Sequence, residues 1–269
     1  SGKISSDVSL TNIYKEMLIY TVPFALVGVI NPLFQFIDMI TFNNAMSVIG
    51  IGGDISNTLL GMLNYTTHKL VMIPVMLATG FSMTLIPLIT SYYAKQDFVQ
   101  VRKALDQSFQ ILLFLTVPAA MGISVLADEF YLVFYEASET GATVLAHYAP
   151  VAILFALYPV TTAILQGIDR QKLIILNLLL GILTKLILNT PLIKAFETDG
   201  AIIATACGYL VAIGLNLFAI RKTLHYKSNM VIRRVMLILI VNVIMLALVF
   251  IVKLGFGKLM TVETKLEGL

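Results

Sequence analysis

Seven times between Leu18 and Val252 the sequence runs for some twenty residues with an almost unbroken apolar composition. That is the length at which an α-helix spans the ~30 Å hydrocarbon core of a bilayer. The runs are Leu18 to Phe42, Leu70 to Tyr92, Phe109 to Ala127, Thr143 to Leu165, Leu173 to Ile193, Ala201 to Ile220 and Val235 to Val252. In hydrocarbon every backbone N–H and C=O must find its partner within the segment, so such runs dictate helices. The expected fold is all-α and integral to the membrane, a bundle of about seven transmembrane helices. With 58% hydrophobic and 12% charged residues and a mean hydropathy of +0.91, a soluble domain of 269 residues is excluded.

The formal net charge of +3 is carried by loop lysines and arginines, and no basic patch with interleaved aromatics occurs. Nucleic acid is therefore not an expected partner, whereas membrane lipids are. With a cytoplasmic amino end, twelve of the basic residues, from Lys3 through Arg102, Arg170 and Arg221 to Arg234, fall in inner segments. Five, Lys69, Lys194, Lys253, Lys258 and Lys265, fall outside. This alternation obeys the positive-inside rule and leaves the carboxyl end external. Ser1 to Ser9 are polar and lack the apolar core of a signal peptide, so insertion is expected to rely on the helices themselves.

The connection Asn43 to Thr67 is longer than a turn. Gly50, Gly52 and Gly53 interrupt it, and Asp54 is placed to cap a short interfacial or re-entrant helix ending near Met62. Asp128 to Gly141 reads as an acidic outer loop, Ala94 to Gln107 as a polar inner loop, and Gly167 as a tight turn. All eight prolines lie in or at the ends of spans, where they kink helices and can serve as hinges.

Polar residues inside the spans are the candidates for function. Lys185 lies well within the fifth span, where a cation costs about 2.5 to 3.5 kcal/mol on insertion scales and needs an anionic or polar partner. It either faces a hydrated cavity or snorkels towards Lys194, about 13 Å further along the helix. Asn31, Gln35 and Asp38, spaced by four and three, share one helical face beside Pro32. From its distance to Lys15, Asp38 is expected near the outer interface. Asn177 and Thr184 lie on the same side of the fifth span as Lys185, and Lys69, after His68, opens the second. Catalysis and metal binding have no candidate set. Cys207 is a single cysteine, His68, His147 and His225 lie on separate segments, and no triad, glycine-rich phosphate loop or carboxylate pair occurs. The expectation is a transporter without enzyme activity or cofactor.

Tyr20-Thr21-Val22-Pro23 with Ile37-Asp38, the turn Leu165-Gln166-Gly167-Ile168-Asp169-Arg170-Gln171-Lys172, and Gly200-Ala201-Ile202-Ile203-Ala204-Thr205 occur in that order. In these pieces the chain resembles the multidrug, oligosaccharidyl-lipid and polysaccharide exporter superfamily, and within it the MurJ and SpoVB/YtgP-like polysaccharide biosynthesis proteins. The resemblance implies two six-helix lobes, of which this chain is the second, followed by one extra helix. Residues 1–12 are then a cytoplasmic lead segment and 13–222 the carboxyl-terminal lobe. Residues 223–269 form a basic cytoplasmic loop, the seventh helix and an external tail. The amino-terminal lobe of the same parent chain becomes a partner, and the bacterial cell membrane the location.

The implied activity is translocation of a lipid-linked sugar pyrophosphate from the inner to the outer leaflet by alternating access. Lys69 matches, by its spacing ahead of Pro74, a position where lipid II flippases of this type carry a cavity arginine. On that basis Lys185 and Lys69 would attract the pyrophosphate, and Asn31, Gln35 and Asn177 would meet sugar or water. Two rival readings stand beside it. One is a cation-coupled drug exporter using Asp38 to bind a proton or sodium; the other is a membrane scaffold for envelope synthesis that transports nothing.

Overall fold

The computed structural model describes residues 10–225, 237–238, 240–245 and 247–249. The expected seventh span is thus described only in part. Most of the lead segment, the basic stretch 226–236 and the tail 250–269 lie outside the described residues. The elements are α1 (Leu10–Val48), α2 (Gly53–Gly61), a π-helical turn (Met62–Thr67), α3 (His68–Ala94), α4 (Phe98–Val125) and α5 (Ala127–Phe134). They continue with α6 (Glu139–Tyr148), a 3₁₀ turn (Ala149–Val151), α7 (Ala152–Gly167) and α8 (Gln171–Leu224). All are helical, as the apolar runs require.

Among the described residues, four stretches are long and apolar enough to cross a membrane: Gly53–Ala94, Phe98–Val125, Glu139–Gly167 and Gln171–Leu224. The last holds two of the expected spans. Its 54 residues are broken at Glu197, whose φ of 53° and ψ of −126° are not helical. Residues 171–196 and 198–224 run antiparallel as the two arms of a hairpin, and Gly200 makes the bend possible. A Cβ there would come within 2.0 Å of the Leu192 carbonyl oxygen. The 3₁₀ turn at Pro150 joins α6 to α7 within one stretch, so the expected fourth span is present with a local tightening.

Three expectations are corrected. The short helix after Gly53 is not a separate re-entrant piece, because α2 continues through the π-turn into α3 as a single stretch of 42 residues. Gly52, not Asp54, is its N-cap; Asp54 lies in the first turn, where its charge favours the helix amino end. The inner polar loop is mostly helix. Asp97 caps α4 by accepting from the Gln100 N–H at 3.1 Å, which starts that helix about three turns ahead of Phe109.

Packing divides into two apolar clusters. One gathers Phe34, Phe42, Val71, Leu145, Phe155, Tyr158, Tyr209 and their neighbours from α1, α3, α6, α7 and α8. The other joins Ile89, Leu105, Val160, Ile164, Ile168 and Ile220 from α3, α4, α7 and α8. α1 lies against the α8 hairpin, and α3 against α7. At the second cluster's end Arg102 donates through Nε and Nη2 to the Leu224 carbonyl, at 3.2 and 2.9 Å, and so closes the carboxyl end of α8.

Candidate functional site

On the first arm of α8, Asn177, Gly181, Lys185 and Asn189 recur every fourth residue and form one buried face. The second arm comes unusually near because glycines meet there. A Cβ on Gly181 would lie 2.7 Å from the Gly208 carbonyl oxygen, and one on Gly208 would lie 2.8 Å from the Gly181 oxygen. Small residues at a crossing let membrane helices approach backbone to backbone. The close approach carries Thr205 to Lys185, and α1 closes the third side.

At this three-way junction Lys185 is 0% exposed and Asp38 3%. Lys185 Nζ donates to Asp38 Oδ2 at 2.7 Å and to Thr205 Oγ1 at 2.7 Å, and lies 5.2 Å from the centroid of the Phe34 ring. Asn189 Nδ2 donates to Asp38 Oδ1 at 3.0 Å and to Thr41 Oγ1 at 2.7 Å. The Thr205 hydroxyl in turn donates a hydrogen bond to the Ala201 carbonyl at 2.8 Å. Both carboxylate oxygens and the ammonium are therefore met by protein groups, which is the condition for charges to persist away from water.

Lys185 neither snorkels nor opens onto a water-filled cavity; it is enclosed against Asp38. Asp38 lies level with the middle of the first α8 arm, where it meets Lys185. Asn31 accepts from the Tyr209 hydroxyl. Gln35 turns elsewhere, its Nε2 3.4 Å from the Asn64 carbonyl oxygen of the π-turn. Asn177 belongs to a second ladder, donating to Asn216 Oδ1 at 2.8 Å, while Asn216 donates to Thr161 at 3.2 Å.

Thr184 is only half-buried and bonds back to the Leu180 carbonyl, apart from the cluster. Lys69 is exposed and outside it as well. Its neighbour His68 turns inward, Nδ1 3.0 Å from the Tyr148 hydroxyl and its ring centroid 5.7 Å from that of Phe155.

Sequence reasoning misses Asn189, Thr205, Thr41, Tyr209 and Asn216. The four-residue period 177, 181, 185, 189 is the available signal for Asn189, whereas Thr205 and Tyr209 carry none without the hairpin register. No group of three or more histidine, cysteine or acidic side chains able to hold a metal occurs among the described residues.

Apolar helices long enough to span, tied together by an enclosed ion pair and amide ladders, define a multi-pass membrane protein with its polar groups turned to the bundle interior. The chain belongs to the lipid II flippase MurJ family, whose model matches residues 11–264. Lipid II flippase MurJ of Bacillus subtilis (strain 168) is 40% identical over 258 residues, which is 94% of this chain and 47% of the relative. The uncharacterized membrane protein YabM of the same organism is 24% identical over 80% of this chain and 40% of its own length. The probable low-salt glycan biosynthesis flippase Agl15 of Haloferax volcanii is 26% identical over 71% of this chain and 39% of its own. The chain spans less than half the length of these relatives. No solved structure matches.

Proposed function

We propose that this chain is one lobe of a flippase that moves a lipid-linked sugar pyrophosphate, lipid II in the first instance, from the inner to the outer leaflet of a bacterial cell membrane. The observation that carries the reading is the family match along nearly the whole chain, alongside a relative whose name states that activity. The obstacle to such movement is the headgroup, because pyrophosphate and sugar hydroxyls left unpaired in hydrocarbon cost several kcal/mol each. A polar passage between two lobes removes most of that cost, and the polyprenyl tail stays in lipid.

Of the two candidate lysines, Lys69 is the accessible one and the first candidate to meet the pyrophosphate. Lys185 is held by Asp38, and Asn31 by Tyr209, so in this arrangement they join α1 to the α8 hairpin as one body. Rocking of that body against the amino-terminal lobe gives alternating access, and Lys185, Asn31, Gln35 and Asn177 reach substrate only where α1 parts from α8. With the amino end cytoplasmic, the basic ends of α3, α4 and α8 face inwards. The inside-negative potential then drives an anionic headgroup outward by about 2.3 kcal/mol per charge per 100 mV.

A cation-coupled drug exporter would need Asp38 free to take up a proton or sodium, and the occupation of both its oxygens by Lys185 and Asn189 weighs against that reading. The test is reconstitution of the full-length protein in proteoliposomes with a fluorescent lipid II. Outward movement of the headgroup that falls severalfold in Lys69→Ala supports the proposal. Movement equal to that in empty vesicles refutes it and favours a scaffold, and dye export lost on Asp38→Asn favours the drug exporter.

A further inference from the structure

Lys69 comes directly after an irregularity in its helix. From Met62 to Thr67 the backbone winds as a π-helix, a form that is rare and persists where surrounding groups hold it. Here the holding groups can be named. Gln35 Nε2 donates to the Asn64 carbonyl at 3.4 Å, and the Tyr135 hydroxyl donates to the Thr66 carbonyl at 3.2 Å. Thr66 Oγ1 donates to the Met62 carbonyl at 3.0 Å and lies 3.2 Å from the Tyr131 hydroxyl. The Thr67 hydroxyl returns to the same Met62 carbonyl.

Tyr131 is seated in turn by Gly141, where a Cβ would come 2.2 Å from the Tyr131 Cζ. Three separate elements, α1, α5 and the start of α6, thus converge on one turn. Its Asn64 side chain is buried, with Nδ2 lacking any hydrogen-bond partner. The turn is therefore held by these neighbours together with the Thr66 and Thr67 hydroxyls on the Met62 carbonyl, and not by the Asn64 side chain.

Successive α-helical residues are rotated by about 100°, and a π-turn inserts one extra residue and so rotates the facing of every later position by that amount. With the turn in place Thr67 is buried, His68 packs on Tyr148 and Phe155, and Lys69 faces out. We propose that Gln35, Tyr131, Tyr135 and Gly141 are positioning residues that, by holding the π-turn, decide whether position 68 or position 69 presents its side chain to the open side of the lobe. The functional weight of this rests on Lys69 being the pyrophosphate-facing cation; the geometry itself is measurable without that reading.

The test labels single cysteines at 69 (Lys69→Cys) or 68 (His68→Cys), in a full-length protein from which Cys207 and every other native cysteine have been replaced by serine, with a membrane-impermeant maleimide. In the otherwise unaltered protein position 69 reacts faster. In Tyr135→Phe combined with Gly141→Ala, the rate at 69 falls roughly tenfold or more while that at 68 rises, since a shielded thiol reacts only through local opening. Unchanged rates at both positions in that variant, with its Tm shifted by the lost contacts, overturn the proposal. Should the combined variant fail to fold, Gln35→Ala alone is read by the same ratio, with the same two outcomes. A reversed ratio with undiminished lipid II flipping by Lys69→Ala sustains the positioning role and removes the pyrophosphate role. An unmoved ratio with flipping abolished in Lys69→Ala does the opposite.

Discussion

Lys185→Met tests whether the junction between α1 and α8 is governed by the ion pair. The substitution keeps the length of the side chain and removes Nζ, leaving Asp38 Oδ2 enclosed with no cation; its other oxygen retains only the Asn189 amide at 3.0 Å. Removing one member of a buried pair costs about 3–5 kcal/mol, because the survivor is a charge without compensation. For a chain of this size that corresponds to a fall in Tm on the order of 10 °C.

The double replacement Asp38→Leu with Lys185→Met should recover nearly all of it. Thr205 already spends its proton on Ala201, and Asn189 Nδ2 keeps Thr41, so few polar groups lose their only partner. The two single losses would then sum to roughly 6–10 kcal/mol against about 1 kcal/mol for the pair, a large non-additivity. Unfolding can be followed in detergent with a thiol-reactive fluorogenic dye, because Cys207, the one cysteine, is half-buried on the second arm of α8. Single effects that simply add, or a Lys185→Met protein as stable as Thr184→Ala, would refute the view that these charges depend on each other.

Gly208→Ala places a Cβ 2.8 Å from both the Gly181 oxygen and the Phe34 ring, and should lower stability by about 1–3 kcal/mol in the same dye assay. Glu197→Gly relieves a positive φ and should raise it by about 0.5–1 kcal/mol. Arg102→Ala strips two donors from the Leu224 carbonyl and should speed amide exchange in the last turn of α8, leaving exchange near Lys185 unchanged. Lys69→Ala, at an exposed position, should leave Tm within the equivalent of about 0.5 kcal/mol while lowering flipping.

The helices are legible in the sequence because hydrocarbon leaves the backbone no other choice; five of the first six spans read from apolar runs fall within α1, α3, α6–α7 and the two arms of α8, and the third runs two residues past the end of α4. The need of Lys185 for an anionic or polar partner is legible too, from the cost of a charge at that depth. That the partner is Asp38, 147 residues away, is not. Contact between them depends on the register of the hairpin, which Gly181, Gly208 and Gly200 set through backbone approach and which no local pattern announces. The polar face of Asn31, Gln35 and Asp38 is turned from lipid as its spacing implies, yet its members divide between α8 and the π-turn. α5 is hidden inside an acidic loop, since eight residues with Asp128 and Glu129 in the first turn carry too short a period to stand out. The π-turn has no composition signature; Tyr131 and Tyr135, on a different element, hold it.

The wide sequence gap between Asp38 and Lys185 has a consequence for biogenesis. A ribosome adding about 5–20 residues per second delivers the lysine some 7–30 s after the aspartate. For that interval the nascent first helix carries an acid whose counter-ion has not been synthesised. It must wait at the insertion machinery or beside lipid headgroups until the hairpin emerges, and the junction of α1 with α8 is therefore closed only after α8 has been made.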